Sequence, residues 1–185
     1  MALSPYASTS ASATHGALIP IQRITLASNG GITFSNIPQT YQDLYVVGSL
    51  RGVFASTLDV VLFQWGYTQT YGYTALRGMG AGSADSYRGN NAYGIYCNSI
   101  PAASTNSNLF GGFEAHVLNY ANTSVFKTAL VRQSFDVNGS GGGTSLTVGM
   151  RSLTSAVTSL EIGGGNNALA AGSSATLYGV RSTKQ

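Results

Sequence analysis

From Ile19 onward, short runs of alternating apolar and polar side chains are separated by clusters of Gly, Asn and Ser. A period of two is what a strand needs to send one set of side chains into a core and the other toward solvent. In residues 43–51, Leu44, Val46, Gly48 and Leu50 share one face and Tyr45, Val47, Ser49 and Arg51 the other. Phe113, Ala115, Val117 and Asn119 alternate with Glu114 and His116, and residues 144–151 place Leu146, Val148 and Met150 on one side. Residues 58–65 form a more continuous apolar run, which predicts a strand covered on both faces. Residues 19–25 and 32–34, joined by Ser28-Asn29-Gly30-Gly31, predict a β-hairpin. Pro38 biases Ile37 toward extended geometry, so Ile37-Pro38-Gln39-Thr40 predicts a turn. Further strands are expected over 125–137, 157–162 and 175–181. The stretch 66–108, rich in Tyr among many Gly, Asn and Ser, predicts two short strands, 70–75 and 92–97, joined by long loops. Loops of that length are commonly functional or part of an interface. No segment sustains an apolar period of 3.6. At least eight short strands with regular turns predict an all-β protein, an antiparallel β-sandwich or barrel.

The first 18 residues differ from the rest. Ser4 to Gly16 is rich in Ser, Ala and Thr and offers little to bury, so residues 1–18 are expected to form a flexible arm ahead of a single domain, 19–185. Leu3, Pro5 and Tyr6 at its start are candidates for anchoring the arm on a partner.

Composition narrows the function classes. Charged residues make up 8% of the 185, against roughly 25% in an average soluble domain. The surface must then be built from hydroxyls, amides, backbone and Tyr, which cost less to desolvate than ions do. That suits a protein packed against neighbours, and low charge favours self-association. A homo-oligomer, a trimer, is expected. The net charge of +3 comes from nine scattered Lys and Arg that form no run, which argues against nucleic-acid binding. No stretch reaches the 18 or so apolar residues of a membrane-spanning helix, and no membrane partner is expected. Cys97 is alone, so no intrachain disulfide is expected. The first residues carry neither a basic nor an apolar leader region, which predicts synthesis in a host cytoplasm without a secretion signal.

Two segments carry a resemblance. Ile32-Thr33-Phe34-Ser35-Asn36-Ile37-Pro38-Gln39-Thr40-Tyr41-Gln42-Asp43-Leu44 lies near the start, and Ser173-Ser174-Ala175-Thr176-Leu177-Tyr178-Gly179-Val180 near the end. Phe126-Lys127-Thr128 and Val157-Thr158-Ser159-Leu160-Glu161-Ile162 fall between them. In this order they resemble a family of small bacteriophage virion structural proteins. The resemblance implies a jelly-roll-like β-sandwich on the virion exterior, in a head decoration protein or part of a tail fibre. It implies no catalytic residues. The two segments also have plain structural readings, the first as a corner feeding the next strand and the second as a strand filling a gap in a sheet.

Candidate chemistry is sparse. His15, His116 and Cys97 make no zinc pattern, so no metal or cofactor is expected. The six acids show no spacing that marks a glycosidase pair. Gly78-Met79-Gly80-Ala81-Gly82 lacks the Lys of a phosphate loop and is read as lacking the flanking strand and helix too. No enzymatic function is expected. Two roles remain: a capsid decoration or cement protein on the major capsid protein, or a fibre or spike domain contacting a host glycan. The chain has no heptads or repeat shaft, which favours decoration. Tyr71, Tyr73 and Tyr87 in the Tyr-rich stretch are the candidate contact residues, since Tyr buries a large surface and keeps a hydroxyl.

Overall fold

The computed structural model describes residues 17–80, 82–138, 141–165 and 168–181. Among them run twelve strands and no helix. They are β1 (Leu18–Thr25), β2 (Ile32–Phe34), β3 (Asp43–Leu50), β4 (Leu58–Gln64), β5 (Tyr71–Met79) and β6 (Asp85–Ala92), followed by β7 (Ile95–Pro101), β8 (Gly111–Leu118), β9 (Lys127–Asp136), β10 (Gly142–Arg151), β11 (Leu160–Gly164) and β12 (Ser174–Val180). All pairings are antiparallel. One sheet has eight strands in the order β1-β12-β3-β8-β9-β10-β5-β6, and the other has four, β2-β11-β4-β7. The all-β sandwich read from the alternation is the fold.

Set aside β5–β6 and β9–β10, and the pairings are nested. β4 pairs with β7, β3 with β8, β2 with β11 and β1 with β12. A chain doubled on itself in this way and rolled so that successive pairs fall in opposite sheets is a jelly roll. The two omitted pairs are insertions. Both join the same sheet beyond β8, widening it from four strands to eight.

The core lies between the four-stranded sheet and the inner face of the wide one. Ile32, Phe34, Val61, Phe63, Leu160 and Ile162 descend from the small sheet. Leu44, Val46, Leu50, Phe113, Val117 and Leu177 rise from the wide one, and all twelve are buried. Each contributes about 1.5–3 kcal/mol of transfer free energy on burial. The Phe63 ring meets that of Phe113 edge-on, with 5.7 Å between centroids.

The 37–41 segment is a corner, and its geometry is fixed from within. The buried Tyr120 hydroxyl donates to the Pro38 carbonyl and accepts from the Tyr41 amide at 3.3 Å. The Gln39 side-chain amide donates to the carbonyls of Ile37 (2.8 Å) and Val157 (3.0 Å). At the end of the chain β12 fills the gap between β1 and β3, with Leu177 inward.

Three local expectations are corrected. Residues 19–25 and 32–34 do not form a hairpin, because β1 pairs with β12 and β2 with β11 across the sandwich. The Gly-rich turn between them carries the chain from one sheet to the other. Residues 58–65 are covered on one side only in part, with Val60 and Leu62 half-buried. Most of 66–108 is strand rather than loop. Gly89 there is no turn residue but serves close packing inside a strand, since a Cβ on it would lie 2.5 Å from the Tyr73 ring. It follows that 78–82 is preceded by a strand, β5, and leads into another strand, β6. The expected arm boundary also shifts, since Leu18 opens β1. Leu3, Pro5 and Tyr6 lie outside the described residues.

Candidate functional site

β10 is amphipathic in the direction opposite to the rest of the core. Its Ser145, Thr147 and Gly149 face inward and are buried, while Leu146, Val148 and Met150 face outward and are exposed. The inward set is small because β7 of the other sheet packs tightly across it, with Ile95 seated on Gly149. The inward polar atoms are not compensated. Ser145 Oγ, Thr147 Oγ1 and both side-chain polar atoms of Gln133 on β9 are buried without a hydrogen-bond partner among the described residues. Each such group costs about 1–3 kcal/mol.

The outward apolar positions are contiguous across strands. Leu146 stands opposite Leu76 of β5, which is 56% exposed, and Val148 opposite Leu130 of β9. Met150 pairs with Thr128, which in turn pairs with Leu118 of β8, another exposed leucine. Phe126 and Leu153, both exposed, lie just beyond the Lys127–Arg151 pair where the β9–β10 hairpin ends. Contiguous apolar patches of about 300–600 Å² on a monomer are commonly contact sites.

A polar rim flanks this stripe on the β3–β8 side. The Tyr45 hydroxyl donates to Glu114 Oε2 at 3.0 Å, and Arg132 Nη1 lies 3.5 Å from the same oxygen. His116 Nε2 is 3.3 Å from Asp43 Oδ2, and its ring meets Tyr45 edge-on. Burial first, and the Glu114 carboxylate second, push the Tyr45 hydroxyl above its ordinary pKa. On the opposite margin β6 carries Arg88, which is exposed and has no partner among the described residues. An apolar centre with a polar margin is the usual anatomy of a protein interface.

The three predicted tyrosines sit on the other side of this sheet. Tyr71 is 1% exposed. Its hydroxyl accepts from the Trp65 amide (2.7 Å) and donates to the Gly66 carbonyl (3.1 Å), and its ring packs on Trp65 at 5.3 Å. Burial pushes its pKa up to about 12. As a contact residue it is corrected: its ring is out of reach of any partner. Tyr73 and Tyr87 are half-buried on the inner face, edge-on to each other, and Tyr73 also touches Tyr96 of β7. Burial raises the pKa of both.

A second feature is a cleft of about 920 Å³ at one end of the sandwich. The start of β4, the end of β5, the β9–β10 turn and the 104–109 segment converge there, with Thr57, Leu58, Asn106, Phe135, Asp136 and Asn138 among its lining. The 104–109 wall is held by Arg51, a buried cation. Its guanidinium donates to the carbonyls of Asn106 (2.6 Å), Thr105 (2.9 Å) and Leu109 (3.0 Å) and to Thr105 Oγ1 (3.0 Å). Burial lowers its pKa, and the carbonyl dipoles satisfy the charge in place of a carboxylate.

The cleft lining contains one carboxylate, whereas glycoside cleavage by the usual route needs two. Cys97 is fully buried, and burial holds its thiol above its ordinary pKa, away from the thiolate that reacts. Among the described residues no three His, Cys, Asp or Glu side chains gather as a metal site. The alternation of β10 was legible in the sequence, but its direction was not. The cleft was missed because its lining comes from four separate segments.

Compared with known proteins, the chain matches no family model, no curated protein and no solved structure.

Proposed function

We propose that this chain is a virion structural protein of a bacteriophage, a decoration protein on the outside of the head, whose work is docking rather than catalysis. The observation that carries this reading is the outward apolar stripe of β5, β9 and β10 on a protein with very few charges. A free-standing protein gains nothing by exposing Leu76, Leu130, Leu146, Val148 and Met150 while burying Ser145, Thr147 and Gln133. A protein that functions inside an assembly does, because the stripe is removed from water there. The resemblance of the 32–44 and 173–180 segments to small phage structural proteins supplies the setting. The segment ahead of β1, with Leu3, Pro5 and Tyr6, would supply contacts to the capsid lattice. Gold-labelled antibody on particles released by lysis tests the reading. Label over the whole head is the expected result, and label confined to the tail, or absent from particles, overturns it.

The cleft favours a second reading, a domain that binds host glycan. Hydroxyls, amides and a single carboxylate over an apolar floor of Leu58, Met79 and Phe135 suit a neutral saccharide, and the volume lies in the range of ligand sites. Saturation-transfer NMR with host-surface polysaccharide, lost in Asn106→Ala, is its test.

A further inference from the structure

We propose that the occupant of the apolar stripe is a second copy of this chain, paired face to face about a two-fold axis that runs along β10. The inference rests on the docking reading and names its partner. A two-fold contact needs one self-complementary patch, and the stripe is a single patch centred on β10. Two such faces stack as sheets do inside a sandwich, about 10 Å apart with strands nearly aligned. Five strands, β8-β9-β10-β5-β6, are about 24 Å wide, and eight residues of each are about 27 Å long. Corrugated by side chains, that footprint approaches the roughly 800 Å² per partner of a standard interface.

The margins of the stripe set the pairing. Rotation about β10 lays β9 of one copy over β5 of the other, and β8 over β6. Leu130 then meets the stripe around the other copy's Leu76, and Leu146 and Val148 meet their own counterparts at the axis. Glu114 on β8 comes over the β6 margin, where Arg88 stands. Glu114 shares its cross-strand row with Arg132 and Leu146, and Arg88 shares the next row with Thr74 and Val148. The offset is two residues, about 7 Å along the strand, within reach of an extended arginine. The acid-bearing margin of each copy therefore faces the basic margin of the other. A two-fold axis across the strands would instead lay β8 over β8 and β6 over β6, acid-bearing margin on acid-bearing margin. One face used twice closes the assembly at two copies, in place of the three suggested by composition.

Light scattering on the full chain at 1–50 µM is the test, with circular dichroism to show that each variant keeps its fold. The expected result is a dimer, converted to monomer by the Leu146→Glu, Val148→Glu double substitution. Glu114→Arg alone should raise the dimer dissociation constant about tenfold, and adding Arg88→Glu should recover most of that loss. A monomer or trimer at 50 µM overturns the proposal. So does a charge pair whose effects simply add. A full-length monomer that dimerises only when Leu3 and Tyr6 are changed to Ser also overturns it, and assigns the face to the chain's own first residues. If the chain is monomeric but the Leu146→Glu, Val148→Glu protein no longer stays on particles, self-pairing fails while the docking reading stands.

Discussion

β1, β12, β3 and β8 turn Leu44, Val46, Phe113, Val117 and Leu177 inward and keep Tyr45, Glu114, His116 and Arg23 outside. β10 and β5, two and three places beyond β8 in the same sheet, turn Ser145, Thr147 and Ala75 inward and leave Leu146, Val148, Met150 and Leu76 outside. The hydrogen-bonded ladder runs unbroken from one region to the other, so backbone pairing does not set the direction. What differs is the cover. The jelly-roll strands lie under the full width of the small sheet, where large apolar side chains fill the gap. The inserted hairpins lie at its margin under β7, where Gly149 and Ser145 leave room for Ile95 and its neighbours. A strand's apolar side therefore need not be the face that its own fold buries.

The largest effect should come from emptying the jelly-roll side. Phe113→Ala removes a ring packed on Phe63 and should cost about 3–5 kcal/mol, read as a lowered urea midpoint. Tyr71→Phe, at the join between the two regions, leaves the Trp65 amide and Gly66 carbonyl without their hydroxyl and should cost about 1–3 kcal/mol at neutral pH. The same residue sets an alkaline limit. Because its folded pKa is raised to about 12 from 10.0, its contribution is intact below pH 10 and is lost as pH climbs from 10 to 12. Tyr71→Phe should make that loss shallower in a denaturation series across the same window.

The inserted side predicts a change of sign. Thr147→Val replaces a buried, unpaired hydroxyl with a methyl of the same shape and should stabilise by about 1 kcal/mol. Ser173→Ala, a buried hydroxyl on the jelly-roll side that accepts from the Arg51 amide and donates to its carbonyl, should destabilise by a similar amount. If Thr147→Val lowers the thermal midpoint instead, the contrast between the regions is false. The smallest effect belongs to Leu146→Ala, which should move the stability of dilute protein by no more than about 0.5 kcal/mol despite deleting a leucine side chain.

Much of the architecture was readable from alternation alone. The strands at 43–50, 111–118, 127–136 and 142–151 coincide closely with the runs of period two, and the corner at Pro38 is where its backbone bias places it. What could not be read was partner choice and direction. Residues 19–25 and 32–34 look like a hairpin because turn chemistry is local, whereas the pairing of β1 with β12 depends on the far end of the chain. Gly72, Gly78 and Gly89 look like loop punctuation, yet all three sit in strands, and at Gly89 the Tyr73 ring takes the space a side chain would need. The tyrosines suggested a surface, but their rings are large enough to close the open end of the core under β7. For β10 the period was clear and its sign was hidden, since Ser, Thr and Gly on one side and Leu, Val and Met on the other fit either face until β7 is placed above them.

The nested pairing also bears on how the chain reaches this fold. Among the described strands, β5–β6, β8–β9 and β9–β10 pair consecutive strands, and β4 pairs with β7 across the β5–β6 insertion alone. β3 must wait for β8, β2 for β11, and β1 for a strand that leaves the ribosome last among those described here. Each later pairing closes a longer loop, whose entropy must be met before its contacts form. Folding should then proceed outward from the β4–β7 pair, on the millisecond-to-second scale of non-local β topologies. Until β12 is inserted, β1 and the edge of β3 stay unpaired, and in that interval a neighbouring nascent chain could take the place of β12.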